Sequence, residues 1–123
     1  MVQGLHEEGQ KLLLARDDIE PITIMSANED EILKAAKEVH GITVRTANIS
    51  RKIIENSKNL QVVSRHGVGY DSIDVDALND YGIPLAIAAH SNMISVAEHA
   101  MFMLLSLSKN VFYYDKFARK ADW

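Results

Sequence analysis

The stretch LQVVSRHGVGYDSIDVDALNDYGIPLAIA, Leu60 to Ala88, decides how the whole chain is read. It opens on an apolar run, passes a turn holding Gly67 and Gly69, gathers a short helical pattern over VDALNDYG closed by Gly82, and returns to the apolar run IPLAIA. Apolar runs without in-and-out alternation are how parallel strands buried on both faces read, and parallel strands need a crossover between them. The stretch therefore predicts strand, turn, helix, strand in one parallel sheet.

The same alternation extends upstream. EEGQKLLLAR reads as a helix, PITIMS as a short strand, DEILKAAKEVH as a helix ended by Gly41, ITVRT as a strand and SRKIIENS as a short helix. Four strands alternating with helices predict an α/β fold, a flavodoxin-like doubly wound parallel sheet with right-handed crossovers. The helix at Glu7 should follow a strand of its own, and only Met1 to Leu5 is available for it. In a flavodoxin-like order that strand lies inside the sheet, so its loss exposes the backbone of both neighbours. The expectation is a missing first strand, through a chain start a few residues too late or an edge supplied by another copy.

Downstream, SVAE, Ser95 to Glu98, has capping-box spacing and predicts a helix start. An unbroken helix from there to Lys120 would be about 38 Å long at about 1.5 Å per residue. That is close to a domain diameter, so a break is expected near Ser108 to Asn110. Ala100 to Leu107 is apolar almost all round and demands burial on more than one side, which points to a homo-oligomer formed through this helix.

At 123 residues, with 47% apolar and 24% charged residues, the chain suits an ordinary folded domain and not a disordered or collagen-like class. Its 17 acids against 13 bases provide no basic footprint for nucleic acid. There is no cysteine, so disulfides and thiolate metal sites are excluded. AMFMLLSLS is far short of the roughly 20 apolar residues that span a bilayer. MVQGLHEEGQ places His and Glu where a leader needs an apolar core, so a cytoplasmic protein with no membrane partner is expected.

Gly67, Val68 and Gly69 invite comparison with the dinucleotide fingerprint G-x-G-x-x-G, but the third position is Ser72 and the next strand runs into Ala89 and His90 without an acid. What remains is a Gly-x-Gly turn at a strand's carboxyl end, able to aim successive N–H groups at one anion, with a carboxylate favoured over a phosphate because no long helix opens behind it. A plain connecting turn is the equal alternative. Arg45, at the end of ITVRT, stands at the same edge, as an anion fork or as a surface salt bridge. Asp71 and Asp74 read as turn and N-cap residues. The five histidines have no metal-ligand spacing, and only His66 and His90 fall just past strand ends. No nucleophile motif, P-loop or kinase signature is present, so no catalytic residue and no metal ligand is assigned.

Taken together, ITVRTANIS, the Leu60 to Ala88 stretch and SNMISVAEHAMFMLLSLSKN resemble the amino-terminal part of the D-isomer-specific 2-hydroxyacid dehydrogenases, in particular the phosphoglycerate-dehydrogenase-like branch. The Gly-Val-Gly-Tyr-Asp turn, the Gly-Ile-Pro approach to the next strand and the Ser-Val-Ala-Glu helix start occur in that family's order and spacing. The resemblance implies a substrate-binding domain over residues 1–92 and a helical crossover segment over 93–123 leading to an NAD-binding domain that this chain does not contain. It implies that the N–H groups of Val68 and Gly69 hold a substrate carboxylate, that Arg45 meets a distal anionic group, and that Asn92 and Ser95 line the cleft near the nicotinamide. The family's catalytic arginine, acid and histidine would lie beyond Trp123, so the isolated chain is expected to be inactive and to bind no NAD. Ile87, Ala88 and Ala89 depart from the Asn or Thr followed by Pro that the family often carries. Two rival readings stand beside this one: a stand-alone flavodoxin-like module that binds a carboxylate without catalysis, and a remnant that folds by exchanging elements between copies.

Overall fold

The structure is a computed structural model and describes residues 1–120. The chain divides into two compact units, Met1–Ala89 and a second unit from His90 onward. The first holds α1 (Glu7–Leu14), α2 (Glu29–Ala35), β1 (Gly41–Val44), α3 (Arg51–Asn56), β2 (Val62–Arg65), α4 (Val75–Asp80) and β3 (Leu85–Ile87). The strands form one parallel sheet in the order β1-β2-β3, with Val44 beside Arg65 and Arg65 beside Ile87. The α/β reading is correct.

Three strands form where four were expected, because PITIMS contributes only an isolated bridge at Ile24. The first strand is not wholly missing either. Val2 bridges in parallel to both Ile24 and Val44, which gives the lateral order Ile24, Val2, β1, β2, β3. In order of appearance along the chain that is 2-1-3-4-5, the flavodoxin-like arrangement. Between the Ile24 segment and β1 only Val2 bridges, so the Ile24 segment finds a ladder partner only there. The contacts are Val2 N–H to the Thr43 carbonyl at 2.7 Å, Gln3 N–H to the Ile24 carbonyl at 2.7 Å and Ile24 N–H to the Met1 carbonyl at 2.9 Å.

Capping fixes the helix starts. Asn28 accepts from the amides of Asp30 and Glu31 at the head of α2, and Asp74 accepts from the Ala77 amide at 2.8 Å at the head of α4. DEILKAAKEVH was expected to be helical up to Gly41, but α2 closes at Ala35 and the chain turns over Lys37 and Glu38. The core gathers Ile32 from α2, Ile53 and Ile54 from α3, and Ala77 and Leu78 from α4, with Ile42, Val44 and Val63 from the sheet, while α1 buries no residue. Ile49, Ile53, Val44 and Val63 are wholly shielded from solvent.

The second unit holds α5 (Met93–Ser108) and α6 (Val111–Lys120). The break falls where the sequence placed it, at Asn110, which has a positive φ of 49° and whose carbonyl then accepts from the amides of Tyr113 and Tyr114. The helix start differs. Asn92 is the N-cap and Ser95 lies inside the first turn, so the Ser95 to Glu98 capping box does not form; Met93 and Ile94 extend the helix backwards, with Val96 N–H on the Asn92 carbonyl at 2.9 Å. Along α5, Met101 through Leu105 and Leu107 are all exposed, while Ser106 is buried. No helix among the described residues is long and apolar enough to cross a membrane.

Candidate functional site at the carboxyl edge of the sheet

The three strands end level with one another, so the residues that follow them, Arg45, His66 and Ala88, share one edge. In open α/β sheets this edge is where ligands bind, because the loops there diverge and leave a crevice. The loop after β2 is tied down on both sides. His66 N–H donates to the Val44 carbonyl at 2.8 Å, and the Gly67 carbonyl accepts from Ala88 N–H at 3.0 Å. Farther along, Ile49 and Ile73 bridge in parallel, with Ile49 N–H on the Ser72 carbonyl at 2.8 Å and Asp74 N–H on the Ile49 carbonyl at 3.0 Å. Both isoleucines are buried, so the loops after β1 and β2 are anchored to each other through the core.

Between these anchors the amides of Val68 and Gly69 meet no hydrogen-bond acceptor among the described residues. Gly67 has a φ of 153°, a conformation that L side chains rarely adopt. A Cβ there would also lie 2.8 Å from Arg65 Nη1. Gly69 carries neither restriction, since the nearest atom to its Cβ would be Asp71 Oδ2 at 3.6 Å. Of the two glycines, Gly67 is the one that the turn requires.

Arg65, the last residue of β2, was not singled out from the sequence and belongs to this edge. Its Nη1 donates to the His66 carbonyl at 2.6 Å, while its Nε is buried without a partner. An unpartnered buried donor on a cationic group is costly, and the guanidinium that carries it lies against Gly67. In the sequence Arg65 stands two residues before Gly67, and it is the pairing with Val44 and the closeness of its guanidinium to Gly67 that place it at this edge. Arg45 itself is exposed and has no ion-pair or hydrogen-bond partner among the described residues.

A second residue with no sequence signal is Gln3, held at a φ of 66°. Its Oε1 accepts from the amides of Thr46 at 2.7 Å and Ala47 at 2.9 Å, and its Nε2 donates to Thr46 Oγ1 at 3.0 Å. The amino terminus thereby shapes the loop that carries Arg45. Asp74 is an N-cap, as expected, and Asp71 is exposed. The structure thus gathers Arg45, Gly67, Val68 and Gly69 at one edge of the first unit. Asn92 and Ser95 stand in the second unit, at the head of α5, and both are exposed. No group of three or more potential metal ligands occurs among the described residues.

A parallel α/β domain with open amides and two arginines at the carboxyl edge of its sheet has the chemistry of an anion-receiving half-site. The model of the D-isomer specific 2-hydroxyacid dehydrogenase catalytic domain matches residues 1–121, and the chain belongs to that family. It is 32% identical over 120 residues to the D-3-phosphoglycerate dehydrogenase of Methanocaldococcus jannaschii, covering 97% of this chain and 22% of that protein. Among solved structures, the PH0520 protein of Pyrococcus horikoshii OT3 superposes with a TM-score of 0.83 at 28% identity, over 99% of this chain and 37% of the other. The NAD-dependent formate dehydrogenase of Staphylococcus aureus, solved in complex with NAD, gives 0.75 at 30% identity, over 94% of this chain and 35% of the other. The chain thus spans about a fifth of the first relative's length and just over a third of the two solved chains.

Proposed function

We propose that residues 1–92 are the substrate-binding part of an NAD-dependent oxidoreductase acting on a small D-2-hydroxy acid, and that the segment from residue 93 is the crossover toward its cofactor-binding part. The observation that carries this is the pair of amides at Val68 and Gly69, without acceptors among the described residues, in the turn that Gly67 opens at the carboxyl edge of the sheet. A carboxylate accepts from two adjacent N–H groups in the same way that it accepts from an arginine fork. Arg45, on the neighbouring loop, gives a substrate with a second anionic group, such as a phosphate ester, a further contact. Asn92 and Ser95 are assigned to contact with the cofactor in the complete enzyme.

The described residues do not fit a dinucleotide. Ser72 stands at the third fingerprint position and β3 closes on Ile87 with no acid to hold a ribose. In the complete enzyme NAD would take up or deliver the hydride at C2; the residues described here bind and orient the acid. The chain by itself is accordingly expected to show neither turnover nor NAD affinity. The apolar surface of α5 over Ala100 to Leu107 is assigned to contact with a second copy, because exposed apolar patches of this extent mark interfaces.

Amide-resolved NMR titration of the 123-residue chain with D-glycerate and with 3-phosphoglycerate tests the proposal. Saturable shifts at Val68 and Gly69 are expected with both acids, with Arg45→Ala weakening only the phosphorylated one. Shifts confined to other regions, or none at millimolar acid, refute the carboxylate assignment, and micromolar NAD binding by calorimetry refutes the division of labour.

A further inference from the structure

A cleft of about 340 Å³ opens between α2 and α3, lined by Asp30, Leu33, Lys34, Lys37, Lys52 and Asn56. We propose that this cleft binds a small molecule through a diphosphate group, with Lys34, Lys37 and Lys52 holding the phosphates and Asn56 donating an uncharged hydrogen bond.

The walls are held at both ends. Ser50, at the head of α3, donates from its hydroxyl to a Glu29 carboxylate oxygen at the head of α2, and Asn56, the last residue of α3, donates from Nδ2 to the Leu33 carbonyl at 3.0 Å. The two helices therefore lie side by side in the same sense, and Ile32, Ile53 and Ile54 fix both to the core. Of the six lining residues three are cationic and one is anionic, in a chain whose net charge is -4. Nearby acids are engaged elsewhere, Glu29 with Ser50 and Glu55 with Arg51 at 3.9 Å. Asp30 and Glu31 stand one turn before Lys34, at the spacing of helical ion pairs, yet neither pairs with it. Lys34, Lys37 and Lys52 form no ion pair and no hydrogen bond with any described residue.

Like charges gathered in one cleft repel one another, and an anion bound among them offsets that repulsion. Lysine rather than arginine sets the class of anion. A guanidinium forks onto a planar carboxylate, whereas an ammonium is a compact point charge with three rotatable donors, suited to the oxygens of a tetrahedral phosphate. The lining carries two net positive charges, and a diphosphate group brings at least that many of the opposite sign. Size points the same way. Ligand sites begin at about 300 Å³, and Lys52 to Asn56 rises about 6 Å along α3, so the ammonium groups are spread over a length that two phosphates in tandem engage more fully than one. Asn56 adds a donor without charge: one Nδ2 hydrogen is committed to the Leu33 carbonyl, and the other meets no acceptor among the described residues. Asp30 is the single lining group that opposes an anion. The lining shares no residue with the edge that holds Arg45, Gly67, Val68 and Gly69, so an anion in the cleft leaves those groups free.

The probe is inorganic pyrophosphate, titrated into the 123-residue chain and followed by amide-resolved NMR, with inorganic phosphate and adenosine diphosphate in parallel. Saturable one-to-one binding is expected, with shifts at the amides of Lys34, Lys37 and Lys52 and at the side-chain amide of Asn56, and inorganic phosphate should bind several-fold more weakly. Lys34→Gln, Lys37→Gln and Lys52→Gln should each weaken pyrophosphate about threefold, and the triple variant should lose saturation. Tm should be unchanged in all four, because these side chains have no described partner to lose. Asp30→Asn should tighten binding, and Lys58→Gln, at an exposed lysine outside the lining, should leave it as it is. Tighter binding of adenosine diphosphate with the same shifts assigns the diphosphate to a nucleotide, and equal or weaker binding assigns it to a free diphosphate. No saturation at millimolar pyrophosphate, equal affinity for inorganic phosphate, an equal loss on Lys58→Gln, or shifts confined to the Arg45 to Gly69 edge each overturns the proposal.

Discussion

Replacing Gly67 by alanine isolates the residue on which the proposed anion site depends. At a φ of 153° an L residue is strained, and its Cβ would stand 2.8, 3.1 and 3.3 Å from Nη1, Cζ and Nη2 of Arg65. Strain of this kind costs on the order of 1 to 3 kcal/mol. Moving the guanidinium aside breaks its bond to the His66 carbonyl, worth roughly 1 kcal/mol more. For a unit the size of Met1–Ala89, a total of about 2 to 4 kcal/mol corresponds to a fall in Tm on the order of 10 to 30 °C. Gly69→Ala is the control: with Asp71 Oδ2 at 3.6 Å as its nearest neighbour, it should change stability by no more than about 0.5 kcal/mol. Thermal unfolding followed by circular dichroism compares the two. Adding Arg65→Ala to Gly67→Ala separates the two causes, because removing the guanidinium relieves the contact and leaves the dihedral strain. Equal Tm values for the two alanine variants, or a larger loss at Gly69, would refute the reasoning about which glycine frames the site.

Other outcomes are fixed by features already described. Asp74→Ala removes the cap bond to Ala77, 2.8 Å long, and should cost about 1 kcal/mol in urea unfolding, while Asp74→Asn retains most of it. Ile53→Ala, at a wholly buried position, should cost about 2 to 5 kcal/mol by the same measurement. Leu104→Glu on the exposed surface of α5 should lower the mass seen in solution scattering at high concentration; a parent chain that is already monomeric there counts against the interface. Stability should also depend on pH through Met1. Burial lowers its ammonium pKa from 8.0, so the unfolded chain binds that proton more tightly than the folded one. Stability therefore rises as pH is raised through the lowered value toward 8 and levels off above it, and acetylating the amino terminus should flatten that rise in denaturant titrations.

The sequence carried the architecture because each part of the Leu60 to Ala88 stretch agrees with the others: apolar runs that pair as β2 and β3, an Asp at the N-cap and a Gly closing the helix. It carried the break at Asn110 for the same local reason. Where several residues had to cooperate across the fold, it was less informative. Ser95 and Glu98 have the right spacing for a capping box, yet Met93 and Ile94 continue the helix past them, since a favourable cap competes with equally favourable helical residues before it. PITIMS has strand composition but lacks a long partner on its inner side. Nothing in the sequence singles out Arg65; only the register with β1 and the closeness of its guanidinium to Gly67 bring it to the edge. Gln3 reaches across 43 residues of sequence to Thr46, a contact that no local pattern encodes.

That contact links the two ends of the first unit's chemistry. Gln3 is covalently one residue from Val2 and holds the loop that begins at Arg45, so anything that orders or loosens the first three residues is felt at the carboxyl edge of the sheet. An affinity tag, an amino-terminal acetyl group or a protease that trims to Gly4 is then not a neutral change at a chain end. If the proposed acid site is real, each should change acid affinity, and by thermodynamic reciprocity a bound acid should protect the first residues from trimming by the same factor.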